Sequence, residues 1–558
     1  MSQEQRTLLA ISLMLGLIIV YQAVFAPRRP TEKPATAPPP APLVAPARAT
    51  PAAPAPQPAA ALPPEREVAV ETKTLIVTLT TRGGGIKRWR LKDYVVSGEG
   101  PVDIVAPYGE GAAPPLAAWG YQGLPGAEPQ EADRTALHLT GADEQGEVVF
   151  SRKDPNGLRT EKRLRFRSEG YTIQVELRFR NEGKQEIPIE PKAVWGPGFR
   201  ESRDAAKAAA QHAPTTWLDG QRTEDSLKDI KPGAPKVHEG ASAWTALHDA
   251  YFAAALIPES KAGTFTAVAD DGQPWVGLRA AAAPLRPGQE TVFRFKAYGG
   301  PKDIARLAAA APDLDRLVNL GSFFFGSWSI IDYGLARPGL HLLRFLRGLT
   351  GNYGLAIILL TVLLKAAMFP LTQKSLKSMQ AMQALQPKIQ AIKEKYKNNS
   401  QKRNQEMADL MRRHNVSGAA GCLPMLAQMP VFIGLYNALS NSIDLWQAPF
   451  LWVKDLSAPE HGLFALPAAL PFLGGIEFRP LPLFMGATQF LQMKLSPTGA
   501  DPAQAAVMTY FMPLFMTPIF YGFPSGLVLY WLCFNVLQIG QQHLLNKAQA
   551  RKAAAPAT

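Results

Sequence analysis

Cysteine is almost missing from this chain: Cys422 and Cys533 are the only two in 558 residues, and both fall in apolar runs. That scarcity excludes a disulfide framework and a CxxC zinc site, and it leaves both as small packing residues. Histidine is sparse too, with eight scattered residues, no HExxH pairing and no GxxxxGK[ST] phosphate loop anywhere. No acid/base pair stands out in the strand-rich middle. The absences give no metal or cofactor to expect and no covalent step, so the chain is not expected to be an enzyme. Acidic residues are outnumbered, 46 Asp and Glu against 59 Lys and Arg, for a formal charge of +13. A soluble protein with that excess would suggest nucleic acid. Basic loops on the cytoplasmic side of a membrane explain it more simply, and no DNA partner is expected.

What the sequence does have is membrane-length apolarity. Residues 352–371, NYGLAIILLTVLLKAAMFPL, are broken by one cation, Lys365. Twenty residues at helical rise span roughly 30 Å, the thickness of a bilayer core. Lys365 then lies about 5 Å past the midplane, where a lysine costs roughly 2.5–3.5 kcal/mol on insertion scales. Thr361 precedes it by one turn on the same face. A charge kept at that depth points to a wet protein interior.

The organisation follows from shifts in pattern. Residues 1–26 hold an apolar stretch, 8–26, read as an uncleaved signal anchor. Residues 27–66 form a Pro/Ala-rich spacer, with fourteen prolines between 27 and 64, which cannot build a core. From 67 to 303 short alternating runs, such as Ile173, Val175, Leu177 and Phe179, predict one large antiparallel β domain of sandwich type. Asp154-Pro155-Asn156-Gly157 marks a hairpin inside it. Residues 304–351 read as a helical, amphipathic segment lying in the membrane interface. Residues 352–546 make a five-span core, with spans near 352–371, 418–440, 481–495, 506–522 and 526–545. A charged helical hairpin, 372–417, interrupts it, and 547–558 is a basic tail.

Loop charge gives the orientation. Segment 372–417 carries ten Lys/Arg against Glu394, Glu406 and Asp409, whereas 441–480 has four acids against Lys454 and Arg479. The first is expected inside and the second outside. Six spans then put both termini in the cytoplasm and the β domain in the periplasm. With orientation set, Thr361, Lys365, Gln428, Gln489, Gln492, Thr509, Asn535, Gln538 and Gln542 all fall at the midplane or in the inner half. Taken singly, each fits a bland reading: a snorkelling lysine, an interhelical amide, a threonine bonded to its own helix. Their shared depth predicts a hydrated cavity open to the cytoplasm and closed towards the outside. A secondary transporter with an intramembrane lysine is the rival, though paired repeats and midplane helix breaks are not evident.

Several motifs resemble the YidC/Oxa/Alb family of membrane insertases. They are GCLPMLAQMPVFIGLY (421–436), QAPFLWVKDLSAP (447–459), FPSGLVLYW (523–531) and LQPKIQAIKEKY (385–396), with Trp244, Tyr251 and Phe252 in the β region. The resemblance implies a Gram-negative form whose periplasmic domain is a β-supersandwich. It implies insertion and folding of inner-membrane proteins, alone or beside the Sec translocon. Nascent membrane proteins would be the clients, the lipid bilayer the surroundings, and basic cytoplasmic loops a contact for the ribosome. The family's groove cation falls on Lys365, with Thr361, Gln428, Met429 and Trp531 beside it. Thr509 and Asn535 join that groove from the depth argument. Lysine stands where the commonest form has arginine, which preserves charge but not the bidentate fork.

Overall fold

The computed structural model describes residues 65–96, 100–108, 114–119, 129–199, 214–269, 272–323, 326–327, 329–414, 423–464, 477–495 and 506–554. The expected anchor at 8–26, nearly all of the spacer, Cys422 and the start of the 418–440 span lie outside them. So does the end of the basic tail.

Alternation builds the β domain. In Leu158–Arg167 the side chains of Leu158, Thr160, Lys162, Leu164 and Phe166 are buried, while the residues between them face outward. This strand lies in a nine-stranded sheet, where Gln145–Lys153, Leu158–Arg167, Thr172–Asn181, Glu290–Pro301 and Phe252–Pro258 are successive antiparallel neighbours. The expected hairpin is there: Lys153 pairs with Arg159 across a turn closed by Gly157 N–H donating to Asp154 O at 2.9 Å. Two five-stranded sheets and a two-stranded pair, Ile187–Ile189 with Ala283–Leu285, complete the domain among the described residues. Trp89, Trp195, Trp244, Phe150, Phe166 and Phe179 fill the core, which fits a sandwich. One pairing departs from the antiparallel expectation: Glu67–Thr72 runs parallel to Ala136–Leu139. The chain between them is long enough for a crossover, which a tight turn could not provide.

Lys162 occupies a position where the alternation demands an apolar residue. Its ammonium donates to Gly84 O at 2.5 Å and to Leu116 O, pinning two loops from inside the core. Gly84 has φ +56°, a left-handed conformation that glycine adopts without strain as the loop closes over the lysine. Burial pushes Lys162 from 10.5 down to about 7.

Beyond the β domain the described residues are mainly helical: α1 (Ile304–Ala310), α2 (Arg337–Thr350), α3 (Tyr353–Lys395), α4 (Ser400–Arg413), α5 (Leu423–Asn441), α6 (Pro480–Leu495), α7 (Met512–Phe520) and α8 (Ser525–Ala554). The expectation of continuous helix from residue 304 needs correction. A strand pair, Ser322–Phe323 with Gly326–Ser327, and a π-turn, Asp332–Ala336, separate α1 from α2. The arginines of this segment are not a solvated face either. Arg337 is buried between Asp332 (3.0 Å) and Asp315 (2.8 Å). Arg344 bridges Asp303 of the β domain (2.6 Å) and Asp444 of the 441–480 loop (2.8 Å). Around that bridge Trp446 packs against Tyr94 and Phe252, and Tyr251 OH donates to Ser457 O at 3.2 Å. One face of α2 buries Leu340, Leu343 and Leu346 among the core helices, while Ile330 before it and its own Phe345 and Leu349 stay exposed.

The span expected at 352–371 and the first arm of the hairpin form one helix. Helix α3 continues without a break through Pro370 and Pro387. Both rings lie on exposed positions, so each proline costs one intrahelical bond and no packing, and the helix persists. The part of α3 at Tyr353–Ser375 is long and apolar enough to cross a membrane, and Val507–Phe520 is a shorter apolar stretch. The hairpin exists as α3 turning into α4 through Asn399, whose side chain accepts from Lys402 N at 2.9 Å. Leu385 and Ile389 pack there with Met382, Met407 and Leu410, so these methionines fill a seam.

Lys162 yields a pH test. Unfolded, it keeps its proton up to about 10.5; folded, it releases it near 7. Across that window the unfolded chain binds more protons, so stability should rise with pH, by at most about 1.4 kcal/mol per unit. Unfolding of the full chain in detergent, parent against Lys162→Met, should show the parent gaining on the variant from about pH 7 upward. A pH-independent difference would contradict the buried ammonium.

Candidate functional site

Helix α3 shows how its own sequence aims the cation. Gly354, Ile357, Thr361 and Lys365 form a buried stripe at helical spacing, whereas Leu355, Leu359, Val362, Leu363 and Phe369 are exposed on the other side. The apolar exposed face suits lipid, and the stripe faces the bundle. Lys365 is only 7% exposed. Its ammonium donates to Gln538 Oε1 on α8 and lies over the Phe534 ring, 4.2 Å from the centroid. Phe534 and Gln538 are four residues apart, so both project from one face of α8.

Of the other anticipated residues, Trp531 and Asn535 stand on α8 and Gln428 bonds to it, and the whole set does not form one contact network. Gln428 on α5 donates its amide to Tyr530 OH. Trp531 stands edge-on to Phe432 (5.0 Å) and close to Phe520 (5.2 Å), an aromatic cluster on the outer side of the lysine. Asn535 is turned to α6, where its Nδ2 donates to Met485 O and Thr488 Oγ1, each at 3.4 Å. Thr361 bonds back to Ile357 O at 2.7 Å. Met429 is 41% exposed and Thr509 half-buried in the π-turn Val507–Phe511 before α7.

The outer end is tied by loop contacts that the sequence reading did not single out. Ser525 at the start of α8 donates from N (2.8 Å) and Oγ (2.9 Å) to Ala458 O. Glu460, buried, accepts from Trp452 Nε1 and from Leu481 N at 2.8 Å. Arg479 donates to Tyr521 O at 2.6 Å. In the sequence these acids served only to orient a loop, since no motif marks a carboxylate as a helix tie. The inner end differs. Gln489 Oε1, Gln542 Oε1 and both amide atoms of Gln541 are buried without a hydrogen-bond partner. Among the described core helices only Ser440 Oγ on α5 shares that condition.

Helices α6 and α7 approach through a glycine: a Cβ on Gly486 would overlap the Thr517 hydroxyl. Close backbone approach at a small residue is how helices gain packing where lipid offers no hydrophobic drive.

Comparison with known proteins covers both halves of the chain. The family model described as 60Kd inner membrane protein matches residues 345–552, and that described as YidC periplasmic domain matches 67–330. The Membrane protein insertase YidC of Pelobacter propionicus is 34% identical over 557 residues, covering 98% of this chain and 99% of that protein. Its counterpart in Geobacter sulfurreducens is 35% identical, covering 98% of each. Among solved structures, YidC from Thermotoga maritima is 16% identical over 85% of this chain and 99% of its own, with a TM-score of 0.31.

Gly486→Ala should destabilise the detergent-solubilised chain by about 1–3 kcal/mol, the usual range for overpacking. Adding Thr517→Ala should recover much of that loss, because the overlapping hydroxyl is then gone. Thermal unfolding of the two variants checks it, and equal midpoints would show that the glycine contact is not what joins α6 to α7.

Proposed function

This chain belongs to the YidC family of membrane protein insertases, and from that premise we propose that Lys365 and its surroundings form the groove through which clients enter the bilayer. The protein is an inner-membrane insertase, not an enzyme, with a β-rich periplasmic domain and a membrane-insertase domain. It acts on nascent membrane proteins.

The observation that carries the groove reading is the position of one cation. Lys365 lies inward of an aromatic cluster, on the buried stripe of a helix whose opposite face is apolar and exposed. Lys365, Thr361, Gln428, Met429, Thr509, Trp531 and Asn535 would offer a client's hydrophilic tail a cation, amides and hydroxyls in place of hydrocarbon. That lowers the several-kcal/mol cost of carrying charged and unsatisfied backbone groups into the membrane. The client's apolar segment then partitions sideways into lipid, which drives the process forward. No nucleotide is needed.

The finer topology is part of the same proposal. Six spans comprise 8–26 and the apolar segments containing the first half of α3, α5, α6, 506–522 and the first half of α8. Both termini lie in the cytoplasm, as loop charge supports, with 27–66 the spacer and 67–303 the periplasmic domain. Residues 304–351 lie at the outer interface, and 352–546 is the core, bearing the 372–417 hairpin. The ten basic residues of that hairpin and those of the 547–558 tail would meet the ribosome. The Sec translocon is a partner for some clients.

Purified protein in vesicles, given a short single-span client, tests the function; solute flux without client integration would favour the transporter reading. For acidic-tailed clients Lys365→Ala should lower insertion about tenfold, worth about 1.4 kcal/mol. Lys365→Arg should retain most of it, and neutral-tailed clients should be less affected. If Lys365→Ala matches the parent on both client types at equal protein levels, the cation has no such role.

A further inference from the structure

We infer that Gln538 is a specificity-determining residue of the groove: its amide oxygen occupies the position of a client carboxylate on Lys365 and is exchanged for one during insertion. This rests on the groove reading above and adds to it the residue that sets which clients the cation accepts.

An ammonium has three N–H donors and no acceptor capacity. In this structure Lys365 spends one donor on Gln538 Oε1, and the Phe534 face covers the charge from another direction. An amide oxygen accepts in nearly the same geometry as a carboxylate oxygen but carries no net charge. The contact therefore orients the lysine without neutralising it. A carboxylate arriving from a client makes a charge-assisted bond roughly twice as strong as the neutral one it replaces. Exchange is then favourable for an acidic tail and unfavourable for a neutral one. Glutamate at position 538 would hold the cation permanently and close it to clients.

A second observation lies beside the first. Gln541 is one position short of a full turn further inward on α8, 8% exposed, with both amide atoms unpartnered. Gln542, 1% exposed, has a free Oε1, and Gln489 Oε1 on α6 is unpartnered as well. Buried amides left unpaired cost about 1–3 kcal/mol each. Such a cost is tolerated where a polar partner arrives in the working state. These amides follow Lys365 on the cytoplasmic side, along the route by which a client tail reaches it.

The test uses the full chain in vesicles and two single-span clients that differ only in tail residues, two Asp against two Asn. The readout is the ratio of acidic-tailed to neutral-tailed insertion for the parent, Gln538→Glu, Gln538→Leu and Lys365→Ala. The ratio is expected to fall about tenfold in Gln538→Glu and to hold or rise in Gln538→Leu, where nothing competes with the client carboxylate. A parental ratio in Gln538→Glu overturns the inference. Lys365→Ala separates the two levels: if it loses the preference while Gln538→Glu keeps it, the groove cation stands and only the role of Gln538 fails. If Lys365→Ala also keeps it, the groove reading itself fails. Should Gln538→Glu lose both clients, a membrane-permeant carbodiimide decides. An amide link between Lys365 and the introduced carboxylate, found by mass spectrometry, supports the placement, and its absence overturns it.

Discussion

An ammonium on an otherwise apolar helix has to be answered by an acceptor on a neighbour, and that requirement organises the membrane half of this chain. Lys365 of α3 is answered by α8, through Gln538 and the face of Phe534. The same two and a half turns of α8 also hold α5 through Tyr530 and α6 through Asn535. Helix α8 is thus the element on which the polar contacts of three others converge. Its apolar residues could have packed in several rotations; a small number of polar bonds selects one.

The polar groups are distributed unequally between the two ends of the bundle. Outside, Ser525, Glu460 and Arg479 tie helix ends to loops, and Arg344 joins the β domain to the 441–480 loop through two carboxylates. Half-buried charges with two partners each resist separation, because removing either partner strands a charge. Inside, three glutamines retain buried atoms with nothing to bond. Apart from Ser440 Oγ, the unpartnered buried atoms of the described core helices belong to these glutamines, far from the loop ties.

Much of this was legible beforehand because it depends on period and composition. The alternation in 158–167 and the turn at 154–157 require only the two-residue repeat of a strand. The burial of Lys365 and Thr361 follows from their place on one stripe of α3. Other features were legible and overlooked: Lys162 stands in the inward register of its strand, and the alternation itself marks it as buried. The continuity of α3 through Pro370 and Pro387 was not legible, since a proline's lost bond is visible in sequence while its outward-facing ring is not.

Membrane-length apolar segments, basic loops, alternating strands and the helix face that carries the cation can all be read along the chain. Each is a property of neighbours along the chain. Packing in three dimensions is what makes Gln538 rather than Asn535 meet Lys365, links Asp303 to Asp444 through Arg344, and sets Glu460 at the end of α6. These pairings join residues tens to hundreds of positions apart, and their partners are chosen by the rotation and depth at which whole helices pack. A residue's type states that it needs a partner; the packing of distant elements supplies which one.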